Sequence, residues 1–256
     1  MQLPVNEFKR QLTRPGVTYG LFSGLVDPAA AEVIAGAGFD WMLIDSEHAP
    51  HDLRTILAQL QAAAPYDVPV LVRPDVGETV LIKRLLDIGA LTLLVPMVES
   101  AEQAQRIVAA TRYPPAGVRG VATSVNRAAR WGSVDDYLAH ADDEICVICQ
   151  IETVTGAQAI ESIAAVEGVD ALFVGPSDLA ASLGKIGQPR HPDVLAAVDD
   201  AIGRAVTTGK PVGVFATAPD LVERWTALGA TFVAVGVDIP LLAKATVDLA
   251  AAYRNR

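Results

Sequence analysis

Aromatic residues make up only 5% of the 256 positions, and basic residues are outnumbered 20 to 30 by acidic ones, for a formal charge of −10. A nucleic-acid groove needs a basic stripe and rings for bases to stack on, so this balance argues against a DNA or RNA partner. Long apolar runs are also missing. Charge-free stretches such as Trp225 to Val237 are a dozen or so residues long, short of the roughly 20 needed to cross a bilayer. The opening MQLPVNEFKR has no basic-then-apolar pattern and no N-x-S/T acceptor occurs, so a cytoplasmic protein with no membrane contact is expected. Neither G-x-x-x-x-G-K-[ST] nor a helix-opening G-x-G-x-x-G is present, which leaves nucleotide cofactors unsupported. There are two cysteines, Cys146 and Cys149, in ICVICQIE. Residues three apart on an extended strand face opposite ways, so these read as buried strand cysteines rather than a zinc or redox pair.

Hydrophobic residues, by contrast, are plentiful at 51%, with 20% charged, which suits a packed core formed without staples. Eight short apolar runs recur along the chain: Val17–Phe22, Trp41–Asp45, Val68–Arg73, Leu91–Pro96, Ile145–Ile151, Ala171–Gly175, Pro211–Ala216 and Thr231–Gly236. Most are continuous rather than alternating, the pattern of strands buried on both faces of a parallel sheet. Helical patterns lie between them, as in Asp27-Pro28 opening a stretch that closes near Gly38, and in Thr153 to Ala165 and Pro219 to Leu228. Eight β/α units in about 250 residues predict a (β/α)8 TIM-type barrel, since a doubly wound sheet more often uses five or six strands. One domain over 1–256 is expected, with an extended loop at 112–132. That loop carries Arg112, Arg119, Arg127 and Arg130, and either a neighbouring subunit or the wall of an active site would give them a role beyond solvated surface.

Barrel sites form where strands end at their C-termini. This rule selects Asp45, Glu47 and His48 after the second strand, Arg73 at the end of the third, Gln150 and Glu152 closing the fifth and Asp178 past the sixth. Glu152 and Asp178 sit on adjacent strand ends. Two carboxylates suit a hard divalent cation such as Mg²⁺ or Mn²⁺ with positions left for water and substrate, although either acid alone also suits a helix start. Arg73 precedes Pro74, which favours an extended backbone and projection from the rim toward an oxyanion; a salt bridge is the plainer reading. His48 is placed to carry a proton, whereas His51, His140 and His191 read as polar surface. The Gly175-Pro176-Ser177-Asp178 turn offers amide donors suited to a small carboxylate. None of the five lysines lies at the end of a strand where a Schiff base would need it.

The segments LIDSEHAPHD, VLVRPD, VPMVES, GVRGVATSVNRAARWG, CQIETVTG and FVGPSDLAASLG, in this order over nearly the whole chain, resemble the HpcH/HpaI family of metal-dependent (class II) pyruvate aldolases. The resemblance implies a lyase of the phosphoenolpyruvate/pyruvate barrel type that cleaves 4-hydroxy-2-oxo acids reversibly to pyruvate and an aldehyde, through a pyruvate enolate held on a divalent metal. Glu152 and Asp178 would hold the ion (Mg²⁺ or Mn²⁺, with Co²⁺ an alternative), and Arg73 would stabilise the enolate. Gln150 and the Gly175–Asp178 amides would orient pyruvate, His48 would handle the C4 hydroxyl proton, and Phe215 is expected to wall the aldehyde pocket or else to pack in the core. The family's partner for this histidine falls on Asp87, which closes the helix after the third strand and so belongs at the bottom of the barrel. The expectation is that Asp87 reaches His48 of another subunit, with Asp45 as the nearer alternative. A homohexamer, a trimer of dimers in which the last helix, Ile239–Tyr253, packs on a neighbour, is also implied. Oxaloacetate decarboxylation at the same site and a non-enzymatic keto-acid-binding protein are the competing readings.

Overall fold

The computed structural model describes residues 1–254 and closes eight parallel strands into one barrel in sequence order, β8 pairing back onto β1. The strands are β1 (Thr18–Ser23), β2 (Trp41–Asp45), β3 (Val70–Arg73), β4 (Thr92–Val95), β5 (Cys146–Ile151), β6 (Ala171–Val174), β7 (Val212–Phe215) and β8 (Phe232–Val237). Each coincides within a residue or two with an apolar run of the sequence, because a strand covered by helices outside and side chains inside has no face for polar residues.

Helices α1 (Glu7–Gln11), α2 (Pro28–Ala35), α3 (Leu53–Ala63), α4 (Thr79–Asp87), α5 (Ala101–Thr111) and α6 (Tyr137–His140) precede β5. After it come α7 (Val154–Gln158), α8 (Ile160–Ala164), α9 (Pro176–Ser182), α10 (Pro192–Thr207), α11 (Pro219–Ala227) and α12 (Asp238–Arg254). Start signals in the sequence act as caps: Asp27 accepts from the Ala29 amide at 2.8 Å, and Asp52 with Thr55 forms a capping box at the head of α3. The single helix expected over Thr153 to Ala165 is instead two short ones. Ala159 leaves helical geometry at φ −101°, ψ 7°, in a segment weakened by Gly156, where a Cβ would lie 2.6 Å from the Val98 carbonyl oxygen.

Two apolar layers result. Inside the barrel lie Trp41, Leu43, Leu71, Ile148, Phe173 and Phe232, and Phe8 of α1 plugs the lower end edge-on to Phe232 at 5.6 Å and Trp41 at 6.0 Å. Gly20 gives the Trp41 ring room, since a Cβ there would lie 2.1 Å from it. The second layer fills the space between strands and helices. Cys146 faces the inner layer and Cys149 the outer one, both buried and unpaired, and burial raises the Cys149 thiol to about 12. They are structural hydrophobes, as the strand period predicts.

The long loop after α5 lies at the lower end of the barrel, away from the C-terminal strand ends. Ala128 donates to the Asp87 carbonyl at 3.1 Å and Arg127 Nη1 to that of Ile88 at 3.0 Å, fastening the loop to the end of α4. Arg112 reaches the Asp142 carbonyl, and Tyr113, Ala129 and Tyr137 build a small core of their own. None of the four loop arginines lines the upper cavity of its own chain, which rules out the active-site-wall reading within one barrel.

Candidate active site

Strand register brings the polar residues together. Asp45 and Arg73 are paired neighbours at the ends of β2 and β3, and Arg73, 6% exposed, donates from Nε to Asp45 Oδ1 at 2.9 Å and from Nη2 to Oδ2 at 2.7 Å. Its Nη1 lies 2.9 Å from Glu47 Oε2 and 3.5 Å from Gln150 Oε1. Burial works against this charge, but the hydrogen bonds and charge of Asp45, then Glu47 and Glu152, outweigh it and hold the guanidinium above its ordinary pKa. The Phe22 ring lies beneath it, 5.2 Å from centroid to guanidinium carbon.

Glu152 continues the inward face of β5 two residues beyond Gln150 and is 1% exposed. Its Oε1 accepts from the Met97 amide at 2.8 Å, and its Oε2 meets Gln150 Nε2. Met97 adopts a left-handed φ of 54°, an uncommon conformation for a side-chain-bearing residue. Burial first, then the charges of Glu47 and Asp178, raise the Glu152 carboxyl to about 7, against the opposing pull of the Met97 amide and Arg73. Gly175, at the head of α9, permits this close approach, because a Cβ there would lie 2.7 Å from Glu152 Oε2. Asp178 follows in the first turn of α9, beside Pro176 and Ser177.

These groups open onto a cavity of about 380 Å³ lined by Asp45, His48, Arg73, Gln150, Asp178 and Phe215, among others. Gly175, Pro176 and Ser177 form part of the same wall. Phe215 therefore faces the cavity while packing edge-on against Phe22 at 5.5 Å. His48 is exposed, as are Ser177 and Ile239 of the same wall. No lysine is among the lining residues, and Lys210 bonds the Val169 carbonyl at 2.7 Å, at the lower end. His51 turns aside to Thr55 Oγ1 at 3.3 Å.

One sequence expectation is placed differently, and Asp87 lies at the end of the barrel where it is expected. Asp45 is not the side-chain partner of His48, because its carboxylate is committed to Arg73; the acid beside the imidazole is Glu47, whose Oε2 is 3.6 Å from Nε2. Asp87 lies at the far end of α4, held by Asn126 Nδ2 at 3.2 Å and Arg119 at 3.6 Å, at the opposite end of the barrel from its own His48. Glu47 is selected by the strand-end rule but given no role by it. Its signal was present, since it lies two residues beyond the strand-ending Asp45.

The acids fit a divalent cation as an open site. Among the described residues no three His, Cys, Asp or Glu side chains are grouped as a complete metal cage. Glu152 and Asp178 nevertheless place two carboxylates near one another, one of them buried with a strongly raised pKa. A cation would relieve that repulsion and leave most of its coordination positions to water and substrate oxygens.

A sequence profile of the family described as HpcH/HpaI aldolase/citrate lyase matches residues 18–245. The chain is 53% identical over 255 residues to a hydroxypyruvate/pyruvate aldolase of Pseudomonas aeruginosa, spanning 100% of this chain and 95% of that one. It is 50% identical over 248 residues to a 4-hydroxy-2-oxo-heptane-1,7-dioate aldolase of Escherichia coli, covering 97% and 95% respectively. A solved structure of an HpcH/HpaI aldolase/citrate lyase family protein from Burkholderia cenocepacia J2315 superposes with a TM-score of 0.92 at 40% identity, covering 98% of this chain and 100% of that one.

Proposed function

The chain belongs to the HpcH/HpaI aldolase/citrate lyase family, and from that premise we propose that it is a pyruvate aldolase, cleaving 4-hydroxy-2-oxo acids reversibly to pyruvate and an aldehyde. The observation that carries this reading is the buried Glu152 carboxyl, raised to about 7 by burial and by the charges of Glu47 and Asp178, and in contact with Gln150 of the cavity wall that also holds Arg73. A divalent ion, Mg²⁺ or Mn²⁺ with Co²⁺ as an alternative, held by Glu152 and Asp178 would supply Lewis acidity at the 2-oxo oxygen. Arg73, fixed by Asp45, directs its charge to that oxygen as the C3–C4 bond breaks. Gln150 and the amides of Gly175 to Asp178 hold the carboxylate end of the pyruvate unit. His48 takes the C4 hydroxyl proton from the open side of the cavity and returns it in the reverse reaction. Phe215 and Phe22 bound the aldehyde side. The relatives' names favour aldol chemistry over decarboxylation of oxaloacetate.

The assembly proposed with this function is a cytoplasmic homohexamer, a trimer of dimers. No helix among the described residues is long and apolar enough to cross a membrane. In α12 the residues from Pro240 onward are exposed, Leu242 and Leu249 among them at 53% and 62%. A helix so bare of cover suits packing on a second copy. Asp87 is then presented to His48 of a neighbouring subunit, one carboxylate oxygen fixed by Asn126 and Arg119.

Pyruvate release from a 4-hydroxy-2-oxo acid in a coupled assay, with EDTA and Mn²⁺ or Mg²⁺ add-back, tests the proposal, alongside calorimetric Mn²⁺ binding. The wild type is expected to lose activity to EDTA and regain it with the ion, and Glu152→Ala to be inactive and to bind Mn²⁺ at least about 100-fold more weakly. Turnover that survives both chelation and the substitution refutes the site assignment.

A further inference from the structure

Glu47 is the acid at this site that no step above uses. Asp45 already takes Nε and Nη2 of Arg73 at 2.9 and 2.7 Å, which leaves Nη1 as the donor beside Gln150 at 3.5 Å. Glu47 Oε2 stands 2.9 Å from that Nη1 and 3.6 Å from Nε2 of His48. A single carboxylate oxygen thus bridges the guanidinium that meets the keto acid and the imidazole that carries the proton. Two acids on one guanidinium leave a net negative charge, and Glu152 and Asp178 add to it. The Asp45 pair is a two-point fork and the Glu47 pair a single contact, so an arriving anion displaces Glu47 more easily than Asp45.

We propose that Glu47 is a positioning residue that occupies Arg73 Nη1 in the free enzyme, yields it to an oxygen of the incoming 2-oxo acid, and then directs its charge to His48. Substrate binding and the readiness of the proton carrier are coupled in this way. The role rests on the aldolase reading above. It differs in sign from its two rivals: a brace that merely steadies Arg73 would aid pyruvate binding, and an acid serving the cation would aid metal binding.

The test is calorimetric titration of pyruvate into Mn²⁺-loaded wild type, Glu47→Gln and Glu47→Ala, with kcat and KM for a 4-hydroxy-2-oxo acid. With the internal competitor gone, both variants are expected to bind pyruvate about three- to tenfold more tightly, with KM falling in step. Deprived of its charged neighbour, His48 works poorly and kcat falls about tenfold or more. Mn²⁺ affinity is expected to stay within about twofold of wild type, because Glu152 and Asp178 carry the ion. Weaker pyruvate binding overturns the proposal in favour of a brace, a large loss of Mn²⁺ affinity overturns it in favour of a metal role, and an unchanged kcat removes the link to His48. A wild type that neither binds nor releases pyruvate overturns the aldolase reading instead, whereas a competent wild type with looser variants overturns only the role of Glu47.

Discussion

The folded chain holds the proton of Glu152 more tightly than the unfolded chain does, since burial and the acids around it raise the carboxyl from 4.5 to about 7. Between those two values the native state binds the extra proton, so stability in the absence of metal falls as pH rises through that window and levels off above it. Unfolding free energies from urea titrations in EDTA should therefore drop between pH 5 and 8 by an amount on the order of 2–3 kcal/mol, and Glu152→Gln should flatten the dependence. A divalent ion in the buffer should remove most of the loss. This residue was legible in advance because a glutamate following ICVICQI has to emerge at the top of a buried strand. Its neighbours were less so: the fork of Asp45 on Arg73 and the bridging of Arg73 and His48 by Glu47 depend on which rotamers the crowded rim accepts, and spacing does not encode that.

At the level of elements, the strands and most helices follow from local pattern, because continuous apolar runs and capping residues act within a few residues of themselves. Breaks come where distant chain intrudes, as at Gly156, which packs on Val98. Helix α12 differs from the others. Where α4 buries Ile82, Leu85 and Leu86 against the barrel, α12 carries Leu242 and Leu249 on one face, 53% and 62% exposed among the described residues. Leu249→Glu is expected to leave the barrel folded, with its melting temperature little changed, while shifting the mass seen by light scattering toward smaller assemblies, because a charge at an apolar interface between copies is not solvated. An unchanged mass would remove α12 from the interface.

For the whole molecule, the test is whether the site is completed between copies. Arg119 is buried with its guanidinium on the Tyr113 ring at 4.6 Å, and its contact with Asp87 holds one oxygen of that acid while the side chain stays 34% exposed. Within one barrel this carboxylate serves no chemistry at the cavity. His48→Asn and Asp87→Asn proteins, each expected to be nearly inactive alone, should regain activity when unfolded together and reassembled, approaching about a quarter of wild type if pairs form at random between subunits. Failure to recover activity from two well-assembled variants would show that the aspartate acts, if at all, within its own subunit.

The sequence by itself determined the barrel, and with it the rim at which Asp45, Arg73, Gln150 and Asp178 meet, because hydrophobic period and strand order are local properties repeated eight times. It also settled that the cysteines face opposite ways on an extended strand, and the structure turns Cys146 inward and Cys149 outward. Only the tertiary structure decided that Asp45 forks onto Arg73 while Glu47 bridges Arg73 and His48, that Gly175 is required by the nearness of Glu152, and that the arginine-rich loop lies beneath the barrel. Those outcomes depend on side chains from separate strand ends competing for one small volume, and that competition exists only once the sheet has closed.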